Sequence, residues 1–136
     1  MIDLASKMAI LETLAKANRA ADQKDVPGTA ACYLEEGYIE GDMQARAGEH
    51  FNEDLQQIYD NEPGLKRHVG TGHIFEESGN TVTVKSLLTV FDGEEQPGVV
   101  ATAAIEDEVR QTDGAWKIAR HRVDMDPGTK KAMSGG

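Results

Sequence analysis

Apolar and polar positions alternate with two different periods along this chain, and the change between them divides it. In the first quarter, Leu4, Met8, Leu11, Ala15, Asn18 and Asp22 follow one another in steps of four and three, so they share one stripe of a helix. Alanine, lysine and glutamate between them favour the helix. "DVPG" (Asp25 to Gly28) interrupts it, since Val26 precedes a proline and is biased away from helical backbone. "TAACYL" then predicts a short second helix, and "GYIEGD" a short strand. "GEHFNEDLQQIYDNEPG" predicts a third helix with Phe51, Leu55, Ile58 and Tyr59 on one face, closed by Pro63 and Gly64. From Arg67 onward the period is two. "RHVGTGHIFEE", "NTVTVKSLLTVF", "VVATAAIEDEVRQ" and "AWKIARHRVDM" read as long strands rich in β-branched and aromatic residues. "SGN" and "TDG" supply tight turns, and "DGEEQPG" a longer loop. Helices followed by an antiparallel meander predict an α+β fold, with the helices on one face of a curved sheet. The expectation is one domain over residues 1–126 and a polar, glycine-rich tail over 127–136 that frays.

Composition narrows the partners. A length of 136 residues suits one core, and a net charge of −10, with its basic residues scattered among acids, argues against a nucleic-acid partner. No apolar run is long enough to span a bilayer, and "MIDLASKMAI" lacks the basic start and long apolar stretch of a signal peptide. Cys32 is alone, so no internal disulfide forms, and it is expected to be a small buried apolar residue. A soluble, cytoplasmic protein is the expectation, without a membrane partner.

The chemistry is concentrated in few residues. "LKRHVGTGHIF" carries His68 and His73. Strand residues five apart point to opposite faces, so the two imidazoles cannot share a metal unless a bulge intervenes. No Cys/His spacing resembles a zinc site, and "GTG" lacks a phosphate-binding fingerprint. Alternation groups His68 with Gly70 and Gly72, small neighbours that leave room for a bound molecule. Asp22 stands in the helical stripe where leucine is expected, and a carboxylate buried without a partner is costly. Either the stripe has reached the helix end and Asp22 is solvated, or Asp22 faces a polar partner across a cavity. In the second case a carboxylate accepting from one imidazole nitrogen of His68 would leave the other as a base. Trp116 and Ile118 are expected in the core, Arg120 and Arg122 in surface pairs with Glu106 or Glu108, and His50 and His121 in solvent. Tyr33 and Tyr38 could donate to a substrate oxygen, but a place at the core edge is the default expectation.

A long helix ending "AADQKD", a short helix, "YIEGD", a third helix, "RHVGTGHI" and a closing "DGAWKIARHRV" together resemble the SnoaL-like branch of the NTF2-like superfamily, to about Asp126. That resemblance implies a cone: a strongly bent, mostly antiparallel sheet around a pocket closed by helices. In the scytalone dehydratase and LinA dehydrochlorinase groups, an Asp ending the first helix pairs with a His on the first long strand. Those positions match Asp22 and His68. There the histidine removes a C–H proton and water or halide departs. The tyrosines that assist the leaving group in scytalone dehydratase-like enzymes match Ala21 and Gly41 here; a further pocket His falls near Val90 or Phe91, and an Asn near Ile105. The implied function is a lyase or isomerase acting on a small, largely apolar molecule with no metal or organic cofactor. The alternative is a non-catalytic ligand-binding or dimerisation module of the same fold. Pocket walls are expected from Ile39, Phe51, Leu55, Ile58, Leu88 and Ile105. A homodimer is expected too, because Val69, Thr71 and Phe75 are left on the sheet's opposite face.

Overall fold

The structure is a computed structural model that describes residues 2–135. Helix α1 (Leu4–Asp22) begins at Asp3, whose carboxylate accepts from the Ser6 N–H at 2.8 Å. Its buried face runs through Ile10, Leu14, Asn18 and Asp22 in steps of four. The stripe expected from sequence lies too far around the helix: Leu4 is 75% and Met8 59% exposed. Asp22 belongs to both lines, which is why its position was legible from the wrong stripe.

The second helix, α2 (Val26–Ala30), starts earlier than expected. Asp25 caps it by accepting from the Gly28 N–H, and Pro27 falls in the first turn, where its missing N–H costs nothing. Strand β1 (Tyr33–Gly41) follows directly, so "CYL" is not helical. A 3₁₀ turn (Gly48–His50) leads into α3 (Phe51–Asp60), which buries Phe51, Leu55 and Tyr59. The meander comprises β2 (Lys66–Ser78), β3 (Thr81–Asp92), β4 (Gly98–Thr112) and β5 (Ala115–Met125).

The five strands form one curved, open sheet in the order β1-β5-β4-β3-β2. The β1–β5 pairing is parallel, and the other three are antiparallel. The helices cover one face, and the core lies between them, from Ile10 and Leu55 to Val84, Val109 and Ile118. The chain beyond Asp126 does not simply fray: α4 (Pro127–Met133) packs on β4, where buried Thr129 accepts from the Thr102 N–H at 2.8 Å. No helix among the described residues is long and apolar enough to cross a membrane.

Two irregularities in the strands decide which side chains face the helices. The β2–β3 register shifts between Thr71 and Ile74, where Gly72 takes φ +66, a conformation that favours glycine. The β4–β5 register shifts between Glu108 and Val109, leaving Ala119 as the extra residue between Ile118 and Arg120. Each bulge inverts the alternation beyond it. Phe75, expected on the outer face, therefore packs against the core, and Ile74 is exposed instead.

Candidate active site

A cavity of about 750 Å³ lies between the helices and the concave face of the sheet. The last turn of α1 crosses the start of β2 and brings Asp22 onto His68. One carboxylate oxygen takes both contacts: Oδ1 accepts from the His68 backbone N–H at 2.7 Å and lies 2.7 Å from His68 Nδ1. Asp22 is 8% exposed, and among the described residues Arg67 is the nearest cation, with Nη1 at 3.9 Å from Oδ2. A carboxylate acceptor selects the Nδ1–H tautomer of neutral His68, which leaves Nε2 as the basic nitrogen in a cavity-lining ring. Nearby Glu62 also lines the cavity. Burial pushes its carboxyl above the usual range, against the pull of His68, Lys24 and Lys66.

A second pair of the same kind lines the same cavity. His121 Nδ1 lies 2.6 Å from Oδ1 of Asp107, a residue 3% exposed. Burial opposes a charge on His121, but the Asp107 carboxylate outweighs it and raises the imidazole above its ordinary value. Tyr33 shares this end of the cavity. Burial pushes its hydroxyl well up, Asp107 adds to the effect, and it remains a donor. His121 thus corrects the expectation of a solvated side chain, and the Ala119 bulge is the reason. Without that extra residue, Arg120 and Arg122 would follow Ile118 inward. With it, they face outward: Arg120 pairs with Glu106 at 2.6 Å and Glu108 at 3.1 Å, and Arg122 with Glu40 at 3.0 Å. The Gly72 bulge does the same for His73, which lines the cavity beside His68 and Gly70 rather than pointing away. Even so, no three His, Cys, Asp or Glu side chains among the described residues are grouped as metal ligands would be.

Of the expected wall residues, Ile39, Leu55, Ile58, Leu88 and Ile105 line the cavity. Phe51 does not. It sits one layer behind, its ring 4.9 Å from that of Tyr33, and supports the wall instead. Asp107 is the residue that sequence reasoning missed although a signal existed. On β4, Ala103, Ile105 and Val109 alternate inward, and Asp107 stands where the next apolar residue belongs, as Asp22 does on α1.

Comparison with known proteins agrees with this architecture. The SnoaL-like domain family matches residues 3–122. A protein of unknown function with a cystatin-like fold from Nostoc punctiforme superposes with a TM-score of 0.79 at 24% identity, covering 93% of this chain and 95% of that one. A putative scytalone dehydratase from Novosphingobium aromaticivorans gives 0.77 at 16% identity, over 90% and 85% of the two chains. LinA gives 0.76 at 19% identity, over 90% and 87%. At these identities the likenesses speak for the fold alone. No protein of curated function matches the chain. The helices on a curved, mostly antiparallel sheet and the family match over residues 3–122 make this chain a member of the SnoaL-like domain family, within the NTF2-like superfamily.

Proposed function

We propose that the protein is a cofactor-independent lyase or isomerase in which His68 removes a carbon-bound proton and Asp22 holds it for the task. The observation that carries this reading is the convergence of two His68 nitrogens on one buried carboxylate oxygen. That arrangement fixes the ring and stabilises the imidazolium formed when Nε2 takes a proton. The electron pair left on carbon either expels a leaving group on the neighbouring atom or shifts a double bond. The putative scytalone dehydratase and LinA among the structural relatives fit the first course. The tyrosine positions of scytalone dehydratase-like enzymes are Ala21 and Gly41, so any assistance to the leaving group comes from other residues. An Asp22–His68 contact in a cavity that side chains leave open, with mostly apolar walls, favours this reading over that of a non-catalytic ligand-binding or dimerisation module of the same fold.

A homodimer through the outer sheet face belongs to the same proposal. Ile74 on β2, Leu87 on β3 and Val99 on β4 are exposed there together, with Val69 and Phe91 beside them. Sedimentation at micromolar concentration is expected to show a dimer that Leu87→Asp dissociates; a monomeric wild-type protein overturns this part.

The test of chemistry uses 5-nitrobenzisoxazole. Loss of its C3 proton to a base breaks the N–O bond and gives a coloured nitrile-phenolate. A positioned general base contributes on the order of 100- to 10,000-fold, and a folded His68→Ala variant is expected to lose at least the lower figure. Wild-type protein no faster than His68→Ala means that His68 is not the base.

A further inference from the structure

The cavity has two polar ends, and the proposed base occupies one. His68 pairs across the sheet with Val90, and Asp107 with Val84. Val90 and Val84 are six residues apart on β3, about 20 Å along the strand at ~3.4 Å per residue. The two Asp–His pairs thus stand at different positions along the sheet, and their imidazoles line one continuous cavity. Between them on β3 and β4 the wall is largely apolar, through Leu88 and Ile105, with Ser86 opposite Ile105. A molecule that fills the cavity meets a base at one end and polar hydrogens at the other.

We propose that Asp107, His121 and Tyr33 form a recognition site for an oxygen at the far end of the substrate, so that the ligand is an elongated, largely apolar molecule carrying a phenol or carbonyl oxygen opposite its acidic carbon. This rests on the reading that His68 marks the reacting end. Asp107 engages His121 Nδ1, and among the described residues Nε2 has no hydrogen-bond partner. With Nδ1 engaged by Asp107, Nε2 is the nitrogen left for a ligand: a neutral ring accepts there from a phenol hydroxyl, and the imidazolium, which the Asp107 carboxylate favours, donates there to an oxygen. The Tyr33 hydroxyl, kept protonated by burial and by Asp107, is a second donor at the same end. Two donors set beside a buried carboxylate suit a neutral or phenolic oxygen better than a free carboxylate, which Asp107 repels. The cavity volume fits such a molecule: pockets of about 300–1,000 Å³ take drug-sized ligands, well beyond a two-carbon or three-carbon substrate.

The test is an equilibrium measurement and needs no turnover. Binding of biphenyl and 4-hydroxybiphenyl is compared by calorimetry on wild-type protein, His121→Asn and Asp107→Asn. In wild-type protein the hydroxyl is expected to tighten binding by about 5- to 10-fold, the value of one added hydrogen bond. In folded His121→Asn and in folded Asp107→Asn that ratio shrinks, with Tyr33 keeping the remainder. A nitrogen-15 spectrum of wild-type protein supplies a readout free of variants: His121 ring signals move with 4-hydroxybiphenyl and not with biphenyl. Equal affinities in wild-type protein, or a ratio that is unchanged in His121→Asn, or ring signals that ignore the hydroxyl, overturn the proposal. His68→Ala separates the two claims. It abolishes opening of 5-nitrobenzisoxazole if the base is right and keeps the hydroxyl ratio if the far site is right, so either can fail alone.

Discussion

The backbone nitrogen and Nδ1 of His68 meet the same oxygen of Asp22, and this makes Asp22→Asn and Asp22→Ala different experiments. An asparagine that places its carbonyl oxygen at the Oδ1 position keeps both acceptances, because its amide nitrogen would stand at Oδ2, where Arg67 is 3.9 Å away. What it loses is charge. Hydrogen bonds to charged groups contribute ~1.5–3 kcal/mol and neutral ones ~0.5–1.5 kcal/mol, so two such changes cost about 2–3 kcal/mol. Relief of the desolvation of a buried carboxylate offsets several kcal/mol of the opposite sign. Asp22→Asn is therefore expected to stay within about 1 kcal/mol of wild type. Asp22→Ala removes the acceptor. The His68 amide is orphaned beneath α1 at ~1–3 kcal/mol, and the truncated side chain leaves a gap, so about 2–4 kcal/mol is lost. For a chain of this size that is a fall in Tm of roughly 6–16 °C, at ~3–4 °C per kcal/mol. Thermal and urea unfolding followed by circular dichroism separate the two variants. On 5-nitrobenzisoxazole both are expected to be slow, because even Asn cannot stabilise the imidazolium. Equal stability of the two variants refutes the shared-oxygen argument, and an Asn variant with wild-type rates refutes the charge argument.

Other expectations follow from single features. Gly41→Ala places a Cβ 2.1 Å from the Val123 carbonyl oxygen at φ +98, in backbone paired to β5. It should cost more than ~3 kcal/mol in urea unfolding, combining left-handed strain with a backbone clash. The raised titration of His121 sets a pH dependence: a group whose folded value is higher contributes stability that is complete below its unfolded value of about 6.5 and lost as pH rises through the folded value. The Tm difference between wild type and His121→Asn should thus be larger at pH 6 than at pH 9, with Asp107 and Tyr33 the groups facing the ring; a constant difference contradicts it. Phe51→Leu, behind the wall, should lower stability while Leu55→Ala changes both stability and the binding of biphenyl.

Period-two runs and helical stripes told most of the fold, because burial on one face leaves its mark on every second or every third to fourth residue. Asp22 was legible as an acid among apolar neighbours. The same reasoning, carried along β4, reaches Asp107. His121 and His73 were not legible, since each lies just beyond a bulge and alternation counts residues, not register. Gly72 hints at its bulge by being glycine; Ala119, an ordinary residue in "KIARH", gives no sign. Phe51 was placed one layer too far forward because helical periodicity reports the buried face but not the depth of what lies behind it. The start of β1 at Tyr33 was hidden by alanines that favour helix and were overridden by pairing with β5.

That parallel pairing has a consequence for how the molecule comes into being. Tyr33 meets Ile118, 118 − 33 = 85 residues later in the chain. At ~5–20 residues per second of synthesis, β1 emerges on the order of 4–17 s before its partner exists. During that interval the helices can form and the β2–β3–β4 hairpins can zip, each through local contacts that close quickly. The first strand cannot join them, and its unpaired N–H and C=O groups are an open edge in the nascent chain. Charges at Glu35, Glu36 and Glu40 make that edge a poor template for neighbouring chains while it waits. In the order of assembly, the strand made first is the last to find its place.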